Sequence, residues 1–252
     1  MSRLEVIAPE GVPLLGAGDD LAKVLLQALE NAGIALRDDD IVVVAQKVVS
    51  KSEGRQIALV DVTPGSKAIE LAQQCKRDPV LVELIIQEAQ EIVRATEAAI
   101  IVEHRLGFVL ANAGIDQSNI DHTTRSALLL PLDPDASARR LRASLRAATG
   151  ADVGVIIIDS IGRAWRKGTI GTAIGVAGLP GLLDLRRKPD LFGRELQSTE
   201  LGLADEIAAA ASLMMGQSNE GRPFALVRGI PYPRREGSAD ELIRPREQDL
   251  FR

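Results

Sequence analysis

Val153-Gly154-Val155-Ile156-Ile157-Ile158 is the run that sets the fold class. Its β-branched side chains, with nothing polar among them, read as a buried strand. A second run, Ile41-Val42-Val43-Val44-Ala45, has the same character. Segments of helical period surround both. Asp19 and Asp20 precede Leu21, Val24, Leu25, Ala28 and Leu29, an amphipathic helix capped by an aspartate and ended at residues 31–33. Thr63-Pro64-Gly65 opens a helix to about residue 74, and Asp78-Pro79 opens another to about residue 93. Residues 99–102 and 108–110 flank His104-Arg105-Leu106-Gly107 as a hairpin. Asp133-Pro134-Asp135 caps a helix with Ala138, Leu141 and Leu145 on its apolar face, closed by Gly150. An Ala-rich helix covers about 199–215, and residues 224–227 form a final strand. Strands alternate with helices, so the class is mixed α/β. With no internal repeat, low-complexity segment or linker, one domain spanning residues 1–252 is expected.

Two of the apolar runs end in acid. Residues 153–158 lead into Asp159-Ser160, and the strand-like 107–110 leads into Ala111-Asn112-Ala113-Gly114-Ile115-Asp116-Gln117-Ser118-Asn119. A carboxylate at the end of a buried strand stands on a rigid support, and binding groups concentrate on loops placed in this way. Each aspartate has an alternative reading as the cap of a turn. Together, with Asn112, Ser118, Asn119 and Ser160 nearby, they are the oxygen donors that Mg²⁺ or Mn²⁺ prefers.

Other charged and glycine-rich stretches are weaker signals. Lys47 and Lys51 lie four apart and share a side if their stretch is helical; a solvated basic face is the alternative. No segment matches G-x-x-x-x-G-K-[ST], and Gly175-Val176-Ala177-Gly178 lacks the full dinucleotide fingerprint, so neither a P-loop nor a Rossmann core is expected. Gly168, Gly171, Gly175 and Gly178 punctuate an irregular stretch and read as places where strands bend or pack tightly. Arg163 and Arg166 flank Trp165, the single tryptophan, and arginine forks suit carboxylate or phosphate. His104 and His122 show no metal-ligand spacing. No Ser/His/Asp or Cys/His signature supports nucleophilic hydrolysis.

Composition narrows the partners. A net charge of −5 argues against nucleic acid and anionic membranes, and 2% aromatics leave little for base stacking. Cys75 has no second cysteine to pair with, which fits a reducing compartment, and it reads as a packed thiol. The N-terminus lacks a signal-peptide pattern and no apolar run approaches the roughly 20 residues of a membrane span. A cytoplasmic protein is expected.

Read in order, several blocks resemble the coenzyme F420-0:γ-glutamyl ligase family. They are Gly11-Val12-Pro13-Leu14-Leu15 with Gly18-Asp19-Asp20-Leu21, and Gln46-Lys47-Val48-Val49-Ser50-Lys51-Ser52-Glu53-Gly54-Arg55. The segment 111–119 follows, then Leu130-Pro131-Leu132-Asp133-Pro134-Asp135-Ala136-Ser137-Ala138. Asp159-Ser160-Ile161-Gly162-Arg163-Ala164-Trp165-Arg166, Ala173-Ile174-Gly175-Val176-Ala177-Gly178 and Met215-Gly216-Gln217 complete the set.

That resemblance implies an acid–amino-acid ligase that uses GTP to add L-glutamate, through γ-linked amides, to the deazaflavin coenzyme F420-0. It implies a two-lobed protomer in an intertwined, butterfly-like homodimer, with two divalent cations (Mn²⁺ or Mg²⁺) and K⁺. Carried over by segment, Asp116 and Asp159 would hold one metal, with Ser160 and Gln217 on the second. Val12, Pro13, Leu14, Leu15, Gln46, Lys51, Asn119, Met215, Gly216, Gln217, Ser218, Asn219, Glu220, Gly221 and Arg222 would contact GTP. Threonine is the commoner residue in the family where Ser160 stands; serine keeps the hydroxyl. Some relatives carry a further flavin reductase domain, which is not expected here. From residue chemistry, Lys51 is assigned to nucleotide phosphates, and Arg166 or Arg163 to the acceptor's phosphodiester or the incoming glutamate. Two rival classes remain: another carboxylate–amine ligase or phosphoryl transferase acting on a related acidic metabolite, and a non-catalytic nucleotide-binding module.

Overall fold

The computed structural model of the chain describes residues 3–118 and 125–249. In chain order its strands and helices are β1 (Glu5–Ile7), α1 (Leu21–Asn31), β2 (Ile41–Ala45), α2 (Gln46–Ser52), β3 (Gln56–Ala58), α3 (Ser66–Cys75), α4 (Pro79–Glu88) and β4 (Ala89–Ala95). Then follow β5 (Ile100–His104), β6 (Val109–Ala111), β7 (Ser126–Leu128), α5 (Pro134–Thr149), β8 (Gly154–Arg163) and β9 (Arg166–Ala177). The last are β10 (Leu183–Asp184), β11 (Glu200–Leu201), α6 (Leu203–Met215) and β12 (Phe224–Arg228). The main sheet has the order β1-β12-β2-β8-β9. Only the central pair β2·β8 is parallel; the other three pairings in this sheet are antiparallel.

Side-chain alternation sends successive residues of these strands into two different cores. Val42, Val44, Val155, Ile157, Phe224 and Leu226 face α1 and α5. Ile41, Val43, Ile156, Ile158, Ala225 and Val227 face α6. A sheet packed on both sides explains why β2 and the first half of β8, residues 154–158, are apolar at every position. Helices α1, α4 and α5 are capped by the aspartates their sequences place there. Asp20 accepts from Ala22 N and Lys23 N at the start of α1, and Asp133 accepts from Ala136 N at the start of α5, where Gly150 closes the helix at φ 77°. Residues 56–130 contribute two smaller cores. One packs α3 and α4 against β5, with Cys75 buried in it, and the other gathers Leu59, Leu84, Ala127 and Leu129.

Four expectations change. The helix opened by Asp78-Pro79 stops at Glu88, because residues 89–95 pair with β5 as β4. Strand β8 does not stop at Ile158 but runs through Asp159 to Arg163, held by β9 along its whole length. The glycine-punctuated stretch is therefore the ordered strand β9. Two of its glycines are tight contacts, as read: a Cβ on Gly171 would lie 2.5 Å from Ala208 O, and one on Gly175 would lie 2.6 Å from Pro134 C and O, whereas Gly168 at φ 82° has nothing within 4 Å. The Ala-rich helix begins at Leu203 rather than near 199, because Glu200 and Leu201 pair with β10.

Candidate active site

The parallel pair positions the site. Ala45 and Ile158 are register partners, so the residues after each, Gln46 and Asp159, emerge side by side. The exit of parallel strands is where ligands bind in open α/β sheets. Alternation along β8 points Asp159 to the face of Ile157 and Ser160 to the α6 face. Gly216 leaves α6 at φ 80° and ψ 174°, a conformation essentially reserved for glycine, and the chain then delivers Gln217 to that face. There Ser160 Oγ donates to Gln217 Oε1 at 2.6 Å. On the other face, Gln46 is buried, accepts from Ser50 Oγ at 2.8 Å and hydrogen-bonds Asp159.

Asp116 arrives from the smaller cores. Asn112, Ala113 and Gly114 all take positive φ, at 53°, 54° and 67°. Two consecutive non-glycine residues in that region make a strained turn, of the kind that accompanies functional sites. The turn is over-determined: Ala113 is fully buried, Asn112 Oδ1 accepts from Ile100 N, and a Cβ on Gly114 would strike Leu130. Asp116 then exchanges two backbone hydrogen bonds with Leu128. Its carboxylate accepts from Lys47 Nζ at 2.6 Å and from Ser118 N at 2.6 Å.

The two carboxylates are shifted in opposite directions. Burial pushes Asp159 above the ordinary carboxylate range; the Ser160 amide, the Lys47 charge and Gln46 pull the other way, while the negative charge of Asp116 adds to the rise. Burial also works to raise Asp116, but hydrogen bonds from Lys47 and Ser118, with the Lys47 charge, outweigh it and hold Asp116 low. Lys51, one helical turn beyond Lys47, is lowered by burial and by the neighbouring Lys47 ammonium. Carboxylates pulled apart in this way, in one cluster, make this the candidate site.

The structure thus brings together Gln46, Asp116, Asp159, Ser160 and Gln217, with Lys51 on the adjoining helix. Val12, Pro13, Leu14 and Leu15 lie in a loop tied to the end of α2 through Gly18 N and Ser52 O, with Leu15 buried and Leu14 99% exposed. Residues 215–222 run beside the exit of β2, where Ala45 N donates to Pro223 O. Within that segment Ser218 N donates to Glu220 Oε2, and Arg222 lies 3.8 Å from Glu10. Asn219 and Gly221 are exposed on the same loop. Asn119 and His122 lie outside the described residues.

Arg166 is not brought to this cluster. It pairs with Arg163 at the exposed tip of the β8–β9 hairpin, whereas Asp159 pairs with Thr172. Four residues of β8 separate the two registers, roughly 13 Å, the extra residues of β9 being taken up by a bulge near the tip. Lys47, read from sequence as sharing a side with Lys51 but given no role of its own, is the direct partner of Asp116. Its four-residue spacing from Lys51 was the available signal.

A model of the F420-0:gamma-glutamyl ligase family matches residues 11–229. The chain belongs to that family. Membership makes it a ligase. Among its relatives are proteins named coenzyme F420:L-glutamate ligase. The one from Methanothermobacter thermautotrophicus is 47% identical over 99% of both chains. Those from Methanocaldococcus jannaschii and Archaeoglobus fulgidus are 42% and 40% identical, each over 99% of this chain and 97% of the relative. Among the described residues no three His, Cys, Asp or Glu side chains gather as a metal cage, and no helix is long and apolar enough to cross a membrane.

Proposed function

We propose that the protein is a GTP-dependent ligase adding L-glutamate to coenzyme F420-0 through γ-linked amides. The observation that carries this reading is the convergence of Asp116, Asp159, Ser160, Gln217, Gln46 and the two lysines of α2 at the exit of the parallel strands. The names of the relatives support the substrates.

The donor set fits hard divalent cations. Two carboxylates repel each other across the cluster, and Ser160 and Gln217 turn neutral oxygens toward one another at 2.6 Å. One or two carboxylates completed by water and substrate phosphates is the arrangement Mg²⁺ uses in phosphoryl-transfer sites. Asp116 and Asp159 would hold one cation, Ser160 and Gln217 the other, with K⁺ as a further requirement. When bound, such cations neutralise charge on the phosphates and on the carboxylate to be activated.

The remaining work falls to the chain. Lys51 would hold nucleotide phosphates, and Gln46 would keep Asp159 oriented. The loop 12–15, Asn119 and residues 215–222 would enclose the nucleotide. A carboxylate oxygen of the acceptor takes the γ-phosphoryl group and GDP leaves. The glutamate amine then attacks the acyl carbon, loses its proton, and inorganic phosphate departs. Excluding water from the acyl phosphate matters as much as orienting it.

We assign the assembled form as a homodimer. Supporting this, Trp165, Leu191 and Phe192, large apolar side chains on the β8–β9 hairpin and the segment 185–199, are 82%, 98% and 95% exposed. In a dimer Arg166, at the hairpin tip, would act in the partner's site.

The test is mass-spectrometric: F420-0, L-glutamate, GTP and Mn²⁺, with a no-metal control. Glutamate-sized mass increments with matching GDP support the reading. Folded protein that binds GTP and adds nothing points to another acceptor or to a binding module.

A further inference from the structure

Lys47 occupies Asp116 closely. Its Nζ lies 2.6 Å from Asp116 Oδ2 and 2.7 Å from Ser118 Oγ. Ser118 Oγ in turn donates to the same Oδ2 at 3.0 Å, and Ser118 N takes Oδ1 at 2.6 Å. The carboxylate therefore spends much of its accepting capacity inside the protein, and its charge is already matched. A divalent cation cannot share Oδ2 with an ammonium at this distance without strong like-charge repulsion.

The position of Lys47 offers the ammonium somewhere to go. Lys47 is the second residue of α2, and Lys51 lies one turn further along the same side. The pair is 30% exposed at each partner, so the lysine has a solvent path and a flexible four-carbon stem. Moving it from Asp116 toward Lys51 creates a two-lysine anion site beside the nucleotide loops. Charge then stays balanced: the cation replaces the ammonium on Asp116, and a polyphosphate takes up the ammonium.

We propose that Lys47 is an exchangeable counter-ion that couples the two ligands, neutralising Asp116 until a divalent cation takes the carboxylate and then joining Lys51 as a phosphate ligand. This rests on the metal reading above and extends it to a positioning residue that the family blocks left without a role.

The test measures Mn²⁺ binding by electron paramagnetic resonance of the free ion, with and without GDP, in the full-length wild type, Lys47→Met, Lys47→Arg and Asp116→Asn. In Lys47→Met, Mn²⁺ alone should bind about tenfold tighter than in wild type, and GDP at saturating Mn²⁺ about tenfold weaker. Lys47→Arg should return Mn²⁺ affinity toward wild type. A merely structural lysine predicts the opposite sign, since a loosened Asp116 binds metal less well. Unchanged or weaker Mn²⁺ binding in Lys47→Met overturns the proposal, provided wild type binds Mn²⁺ and Asp116→Asn weakens it. Wild type without Asp116-dependent Mn²⁺ binding would overturn the metal reading and this proposal together. Circular dichroism of each variant, with Lys47→Gln as a second neutral substitution, separates a folding defect from the binding effect.

Discussion

Asp159 and Asp116 do different jobs for stability although both stand in the one cluster. A carboxyl whose pKa is raised on folding binds its proton more tightly in the folded chain than in the unfolded one. Its contribution is therefore most favourable below the ordinary value of 3.8 and falls as pH rises through the folded pKa. At neutral pH the ionised Asp159 costs stability, so Asp159→Asn should raise the Tm in EDTA by about 2 °C or more while turnover falls by orders of magnitude. Asp116 carries the opposite sign: its depressed pKa contributes stability above 3.8 that is lost on acidification. Asp116→Asn should lower the Tm in EDTA at pH 7 and also lose turnover. Wild-type rates in either variant at low Mn²⁺ would remove that residue from the site. Both aspartates were found as acids ending apolar runs. Their opposite shifts depend on Lys47 standing 2.6 Å from one of them, a contact across 69 positions that no local pattern encodes.

Between elements, one buried carboxylate ties the smaller cores to the rest. Glu88, the last residue of α4, lies 2.9 Å from Arg55 and 3.1 Å from Arg105, with the buried His104 at 3.3 Å. Arg55 and Arg105 also donate to the carbonyls of residues 130–132, which follow the strand paired with Asp116. Burial opposes ionisation of Glu88, but the His104 imidazole at 3.3 Å, the hydrogen bond from Arg55 and the charges of Arg55 and Arg105 prevail, and its pKa falls to about 2. Stability from this cluster should be complete above about pH 4.5 and lost progressively toward pH 2, read by urea unfolding across that range. Glu88→Gln leaves two arginines unmatched in a buried setting and should cost about 3 kcal/mol. On the main sheet, Gly171→Ala drives a methyl into the Ala208 carbonyl and the Ser212 side chain, and should cost about 2 kcal/mol by separating α6 from β9. Helix α4 was read past Glu88 because residues 89–93 suit either state. Pairing with β5, made across a turn, settles the choice.

At the scale of the whole molecule, the projecting hairpin of β8 and β9 and the arm around residues 185–199 carry the exposed Trp165, Leu191 and Phe192. Light scattering should give about twice the chain mass of 26.9 kDa. Phe192→Asp should shift the protein toward monomer at micromolar concentration. The single tryptophan offers a check, because emission that stays solvent-like on concentration would place Trp165 outside any interface. What residue order alone settled was the class and the parts: β-branched runs are strands wherever they pack, Asp and Gly caps act within four residues, and the ligase blocks sit in linear order. These are local properties, carried by side chains near one another along the chain. The site itself needed the fold. Asp159 lies inside a strand because β9 supplies its hydrogen bonds, Ser160 meets Gln217 across 57 positions, and Arg166 is held away at the hairpin tip. Such contacts are formed by sheet register and by packing on two faces at once. That register is set by pairing between strands distant in sequence.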